Sequence, residues 1–202
     1  MVRSSIRSSN KLGIRIIILA KNQSGGPGLH VQTLKQIEDI PIPVSVSTWR
    51  FDSSTTEDEE SSSSIQNIIV DLLWSDPHPD GKLGLNLSES LRYDKTKKKW
   101  TGEGFNSTRG TGTWFGPDVI KSFCKRNGLD LVIRSHMCVN GGMQLAGKRC
   151  VTVFSAPKYG NHDNAGAIVE ISRDFKLVFK ALSASDSKSQ WANDVELDVP
   201  AS

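Results

Sequence analysis

The chain has 202 residues, 37% hydrophobic and 23% charged, which is enough for one domain with a real core and too little for two comfortable ones. Its 25 Lys+Arg against 22 Asp+Glu leave a formal net charge of +3, so composition indicates neither a nucleic-acid footprint nor an acidic interaction tail. No run of about 18 apolar residues is present, so no membrane-spanning helix is expected. Cys124, Cys138 and Cys150 form neither a CxxC pair nor an even set, which argues against a disulfide framework or structural zinc and fits the cytosol or nucleus.

The first segment, residues 1–23, is basic: Met1 to Lys21 carries Arg3, Arg7, Lys11 and Arg15 and no acid, the first being Glu38. Such a composition can mark an organellar transit peptide, whereas the short β-branched run from Ile14 to Ala20 predicts a buried strand. Gly25-Gly26-Pro27-Gly28 then breaks regular structure. Leu29, Leu34, Ile37 and Ile40 predict a short amphipathic helix over 29–40, which Pro41 and Pro43 must end.

From Ser53 to Ser64 the polar tract SSTTEDEESSSS cannot bury enough apolar surface to offset its ordering entropy, and a disordered insertion is expected. An acidic phosphorylation site is the functional alternative. Ile65, Ile68, Ile69, Val70, Leu72 and Leu73 predict a strand, ended by Trp74-Ser75-Asp76-Pro77. Residues 80–108 form a polar second insert, expected on the surface. Its cluster Lys95-Thr96-Lys97-Lys98-Lys99-Trp100 is either merely solvated or a contact for an anionic partner.

Pro117, Val119, Ile120, Phe123 and Cys124 predict a helix ending before Gly128, with the proline in its first turn. Leu129–Arg134, Cys150–Phe154, Ala167–Ile171 and Leu177–Leu182 are four candidate strands. One helix followed by successive strands argues for an α+β layering over strict βαβ alternation. Residues 183–202 read as a polar C-terminal tail.

His136 follows an apolar strand, where an imidazole is placed to reach a metal or a phosphate in a cleft, although such a histidine is more often an ordinary hydrogen-bonded residue. Arg109 can grip a phosphate bidentately and Tyr159 can donate to one of its oxygens. Alone, each is an ordinary loop residue.

Their order alters that weighing. Asp71-Leu72-Leu73-Trp74-Ser75-Asp76-Pro77, Thr108-Arg109-Gly110 with Trp114-Phe115-Gly116, Leu129 through Arg134-Ser135-His136, Phe154-Ser155-Ala156-Pro157-Lys158-Tyr159 and Asp163-Asn164-Ala165-Gly166-Ala167 follow one another. The series closely resembles the C-terminal half of the metal-dependent protein serine/threonine phosphatases, the phosphoprotein phosphatase family within the calcineurin-like metallophosphoesterases. It runs from about Gly25 to Leu182, so that residues 24–182 resemble the later part of a phosphatase catalytic domain, interrupted by the inserts 53–64 and 80–108.

The resemblance implies a layered α/β/β/α sandwich, here incomplete. It implies His136 as a ligand of the second metal, Arg109 as the arginine on substrate phosphate, Tyr159 lining the same site, and Asp76 as an aspartate of the active-site rim. It also implies a dinuclear centre of Mn, Fe or Zn, in which two cations about 3.5–4 Å apart clamp phosphoryl oxygens and activate a water that hydrolyses phosphoserine or phosphothreonine directly. Phosphoproteins and regulatory subunits are the implied partners, with no nucleic acid and no membrane.

The departures matter as much. The family's Gly-Asp-x-His-Gly, Gly-Asp-x-Val-Asp-Arg-Gly and Arg-Gly-Asn-His-Glu blocks, which bring most metal ligands and the general-acid histidine, do not occur in the 202 residues. At the place of Val-His-Gly-Gly stands Gln23-Ser24-Gly25-Gly26, with a serine where a ligand histidine is expected. Lys158-Tyr159-Gly160 replaces Asn-Tyr-Cys, adding a positive charge and removing a thiol. Asp76-Pro77-His78 and Gly160-Asn161-His162-Asp163 imitate metallophosphoesterase ligand motifs but lie inside blocks already assigned by their flanks.

Three expectations follow. The chain is a partial phosphatase with weak or no turnover, because one histidine cannot hold two metals; or a non-catalytic phosphate-binding regulatory module; or a truncated product, since a complete domain of this kind needs roughly a third more chain.

Overall fold

A computed structural model of the chain describes residues 4–8, 15–19, 25–41, 60–78, 92–94, 99–101, 106, 108–172, 176–182 and 191–197. Five strands form a mixed sheet in the order β1 (Ser4–Ser8), β2 (Arg15–Leu19), β7 (Leu131–Arg134), β9 (Cys150–Val153) and β8 (Met143–Leu145). β2, β7 and β9 run parallel to one another, and β1 and β8 are antiparallel edges. A second, antiparallel sheet is built from β10 (Gly166–Ile171), β11 (Leu177–Leu182) and β12 (Trp191–Leu197).

Alternation along β7 and β9 assigns the layers. Leu131, Ile133 and Val151 point to one face, where they meet Leu177 and Phe179 of β11. Val132 and Cys150 point to the other and pack with Ile68 and Leu72, Ile120 and Phe123, and Ile37. These last residues come from α2 (Glu60–Trp74), α3 (Pro117–Asn127) and α1 (Leu34–Glu38) respectively. The described residues therefore stack helices on a sheet on a second sheet, an α+β layering of the expected kind.

The helix over 117–127 forms as its sequence predicts. Pro117 sits in the first turn, Lys125 and Arg126 lie at the C-terminal end of the dipole, and Gly128 closes it at φ +60°, the Leu129 N–H bonding back to the Cys124 carbonyl. The four strands after it also form, with shifts of one or two residues at their ends.

Several expectations are corrected. Residues 65–73 form the greater part of α2, not a strand: Ile68, Ile69, Leu72 and Leu73 recur at helical spacing and are buried together, and this face outweighs the β-preference of the isoleucines. The same helix opens at Glu60, so residues 60–64 of the supposed disordered insert are helical, while 53–59 lie outside the described residues. The helix expected over 29–40 is reduced to Leu34–Glu38, because a Thr33/Gln36 capping box starts it only there.

Trp74 through Pro77 end α2 but then continue as β3 (Asp76–Pro77), parallel to β6 (Trp114–Phe115). Within the second insert β4 (Arg92–Asp94) pairs with β5 (Lys99–Thr101), and Lys95 to Lys98 lie outside the described residues. Part of the expected tail, Trp191–Leu197, is β12, zipped onto β11. β2 matches the strand reading of the basic N-terminal segment.

The three thiols carry no disulfide. Burial pushes the Cys124 thiol up to about 11 and the Cys150 thiol up to about 12, so both behave as small core residues.

Candidate functional site

Asp76, the first residue of β3, meets Arg134, the last residue of β7, and the site is built around that contact. The Asp76 N–H donates to the Thr113 carbonyl and the His78 N–H to that of Phe115, which fixes Asp76 beside the turn that follows Arg109. From that position the Asp76 carboxylate, only 1% exposed, gathers side chains from two segments, 106–109 and 134–136. Its Oδ1 accepts from Arg134 Nη2 at 2.6 Å, and its Oδ2 accepts from Arg109 Nε at 3.0 Å and Asn106 Nδ2 at 3.1 Å. His136 Nδ1 stands 3.6 Å from Oδ1, beyond hydrogen-bonding range. Burial pushes the Asp76 carboxyl up, but His136, Arg134 and Arg109 together outweigh it and hold the group well below the usual carboxylate range. Asp76 is thus an ionised hub beneath the site, not a residue of its rim.

Arg109 is held twice. Besides Asp76, its Nη2 donates to the His136 carbonyl at 3.0 Å, and its own N–H bonds to Asn106. The side chain remains 28% exposed, so part of the guanidinium fork faces out. His136 lies at φ +82°, a conformation that costs a non-glycine residue about 1–3 kcal/mol and concentrates at functional sites. Its ring meets Trp74 edge-on at 5.3 Å, and its Nδ1, buried, has no hydrogen-bond partner among the described residues.

The structure therefore brings Asp76, Arg109 and His136 together. Tyr159 stands apart on the loop after β9: it is 57% exposed, its ring packs edge-on against Phe154 at 5.2 Å, and its N–H donates to Asn164 Oδ1. Among the described residues no hydrogen bond or ion pair links it to the other three. Lys158 beside it adopts φ +49° and is exposed.

Among the described residues the two motif imitations do not assemble ligand sets. His78 turns to the Trp114 ring at 5.8 Å while Asp76 faces the arginines, and His162 and Asp163 are exposed in a turn. Sequence reasoning missed Asn106 and Arg134. The signal for the latter was a single cation closing the apolar run Leu131-Val132-Ile133, two residues before His136.

The glycine loop that follows Ser24, itself outside the described residues, lies against the same corner. A Cβ on Gly25 would stand 2.7 Å from the Ser75 nitrogen and 2.8 Å from the Asp71 carbonyl, both main-chain atoms that cannot step aside. Gly25→Ala should therefore lower stability by about 1–3 kcal/mol in urea unfolding; an unchanged midpoint would contradict the close approach. Next to it Asp71 accepts from the His30 N–H and from Ser75 Oγ at 2.9 Å, tying the loop to the end of α2.

Residues 20–140 match the family model of the calcineurin-like phosphoesterases. The chain belongs to that family.

It is 36% identical over 121 residues to serine/threonine-protein phosphatase T of Aspergillus oryzae, covering 59% of this chain and 21% of that protein. It is 30% identical over 193 residues to serine/threonine-protein phosphatase BSL2 of Arabidopsis thaliana, covering 88% of this chain and 16% of that one. The chain thus spans about a fifth or less of the length of these curated relatives. Among solved structures, a protein serine/threonine phosphatase from Saccharomyces cerevisiae, described as similar to human phosphatase PP5, shares the fold. The TM-score is 0.51 at 22% identity, over 86% of this chain and 45% of that one.

The family generally uses a dinuclear metal centre. Among the described residues no three of His, Cys, Asp or Glu come together in a group that could hold a metal. Among the described residues His136 stands near one carboxylate, and both oxygens of that carboxylate are already taken by arginines. The described donor set does not fit a two-metal centre.

Proposed function

We propose that this is a serine/threonine phosphatase-type chain whose described residues form the substrate-phosphate side of the site, with weak or no turnover by the 202 residues alone. The observation that carries this reading is Arg109: anchored through Nε on Asp76 and through Nη2 on the His136 carbonyl, it keeps an exposed part of its fork for an oxyanion. A phosphate held there would receive short charge-assisted hydrogen bonds from a group that does not have to reorganise. Tyr159 is assigned to the same phosphate from the neighbouring loop, and Lys158 adds positive charge beside it.

We assign His136 as a metal ligand of the family kind, with Mn, Fe and Zn the ions suited to an imidazole. Phosphoserine- and phosphothreonine-bearing proteins are the partners this reading implies, with regulatory subunits second, and the three free thiols fit the cytoplasm or nucleus.

The mismatch between the described donors and a metal pair favours the second reading, a non-catalytic phosphate-binding regulatory module. Metal analysis of the purified chain together with release of phosphate from a phosphoserine peptide separates the two: slow, metal-dependent release marks the phosphatase-type chain, and none at all the binding module. Fewer than two equivalents of metal and little or no release are expected; two equivalents of Mn, Fe or Zn with sustained turnover would overturn the proposal of weak or absent activity.

A further inference from the structure

Arg134 is the largest fully buried side chain among the described residues, and no part of the phosphate contact described above uses it. Its guanidinium, 0% exposed, donates from Nε to the Gly25 carbonyl at 3.2 Å, and from Nη2 to the Ser75 carbonyl at 3.2 Å and to Asp76 Oδ1 at 2.6 Å. Nη1 has no partner. Burying such a cation is expensive and is tolerated only where a carboxylate compensates it. Here that carboxylate is Asp76, whose other oxygen belongs to Arg109.

The charge count is the informative part. The cluster contains one carboxylate and two guanidinium groups, one of them sealed from solvent and one partly open to it. Were Asp76 paired with Arg109 alone, the exposed arginine would be neutralised and would have little attraction left for an anion. With Arg134 occupying the carboxylate from the buried side, the excess positive charge is expressed at Arg109, the group that faces out.

We propose that Arg134 is a positioning residue for phosphate recognition: by neutralising Asp76 from within the core it leaves the charge of Arg109 available to an incoming phosphate. The inference rests on the assignment of Arg109 to phosphate made above. It also makes Asp76 both the anchor of Arg109 and, without Arg134, its competitor.

The test is a compensating pair of substitutions on the full chain, with a phosphoserine peptide as the probe and circular dichroism and thermal unfolding to establish that each variant is folded. Arg134→Met should weaken peptide binding about tenfold or more, comparable to losing a charge-assisted contact. Adding Asp76→Asn to Arg134→Met should restore binding to within about threefold of the parent, because the charge on Arg109 is again uncompensated. A purely structural role for Arg134 predicts no recovery, and its absence in a folded double variant would overturn the proposal.

If Arg134→Met does not fold, Arg134→Lys decides. The ammonium keeps the charge but cannot span the three acceptors, and binding within about threefold of the parent is expected; a loss as large as that of Arg109→Ala would overturn the proposal. Should the parent itself not bind the peptide, the phosphate assignment falls, and Arg134 is then judged by hydrogen exchange at the Arg109 Nε–H. Slower exchange in Arg134→Met that returns to the parent rate in the double variant supports the charge role, and an unchanged rate removes it.

Discussion

Replacing Asp76 with alanine should destabilise the chain by about 3–5 kcal/mol, the largest effect expected of any single side-chain change in the site. The carboxylate is 1% exposed and Arg134 is fully buried against it, so its removal leaves a cation in the core with no counter-charge. Arg109 Nε loses its acceptor in the same step, and Asn106 Nδ2 is left with its longer bond to the Trp74 carbonyl. Equilibrium unfolding in urea measures the loss. Asp76→Asn, which keeps one acceptor oxygen and the shape, should lose less than alanine does. A cost below about 1 kcal/mol for alanine would mean that the ion pairs contribute little and that the hub described here is incidental.

Arg109→Ala should weaken binding of a phosphoserine peptide by about tenfold to a hundredfold, the range of 1.5–3 kcal/mol that a charged hydrogen bond contributes. The fold should survive it, because Arg109 lies at the partly exposed end of the cluster while Arg134 continues to pair with Asp76. Arg109→Lys should recover only part of the loss, since an ammonium cannot keep its hold on Asp76 and on the His136 carbonyl while offering further donors to phosphate. Isothermal titration of the peptide into each variant reads both effects. Equal affinity for parent and Arg109→Ala would remove Arg109 from the phosphate site.

What could be read from sequence depended on how local the determining contacts are. Pro117 and Gly128 bracket α3 with signals that act within one turn, and β7, β9, β10 and β11 are short β-branched or apolar runs between turns. The segment 65–73 offered the same residue types, but its fate was decided by which side chains share a face. Ile68, Ile69, Leu72 and Leu73 are all buried, and Ile68 and Leu72 pack in one core with Val132 and Cys150 of the sheet, a relation among residues that a run of isoleucines conceals. β12 was illegible because its strand partner, not its composition, organises it.

The site divides in the same way. Asp76, Arg109, His136 and Tyr159 stand out in the sequence through the order of the blocks that contain them; the first three converge in space, and Tyr159 stands apart. The burial of Asp76 and the role of Arg134 were beyond reach, since the acceptors of Arg134 lie 58, 59 and 109 residues away along the chain. A cation at the end of an apolar strand announces only that some partner must exist. The position of Ser24, where the family resemblance expects a histidine, was legible at once, and the donors described around His136 do not compensate for it.

Phosphorus NMR of a phosphoserine peptide titrated with the full chain in the presence of zinc reports both binding and hydrolysis in one spectrum. A peptide resonance that shifts or broadens as chain is added, with little or no growth of a free phosphate signal, is the expected result. A resonance that stays unperturbed at saturating chain would contradict phosphate binding at Arg109, and a free phosphate signal growing through many turnovers would contradict a site that holds phosphate without a complete metal centre.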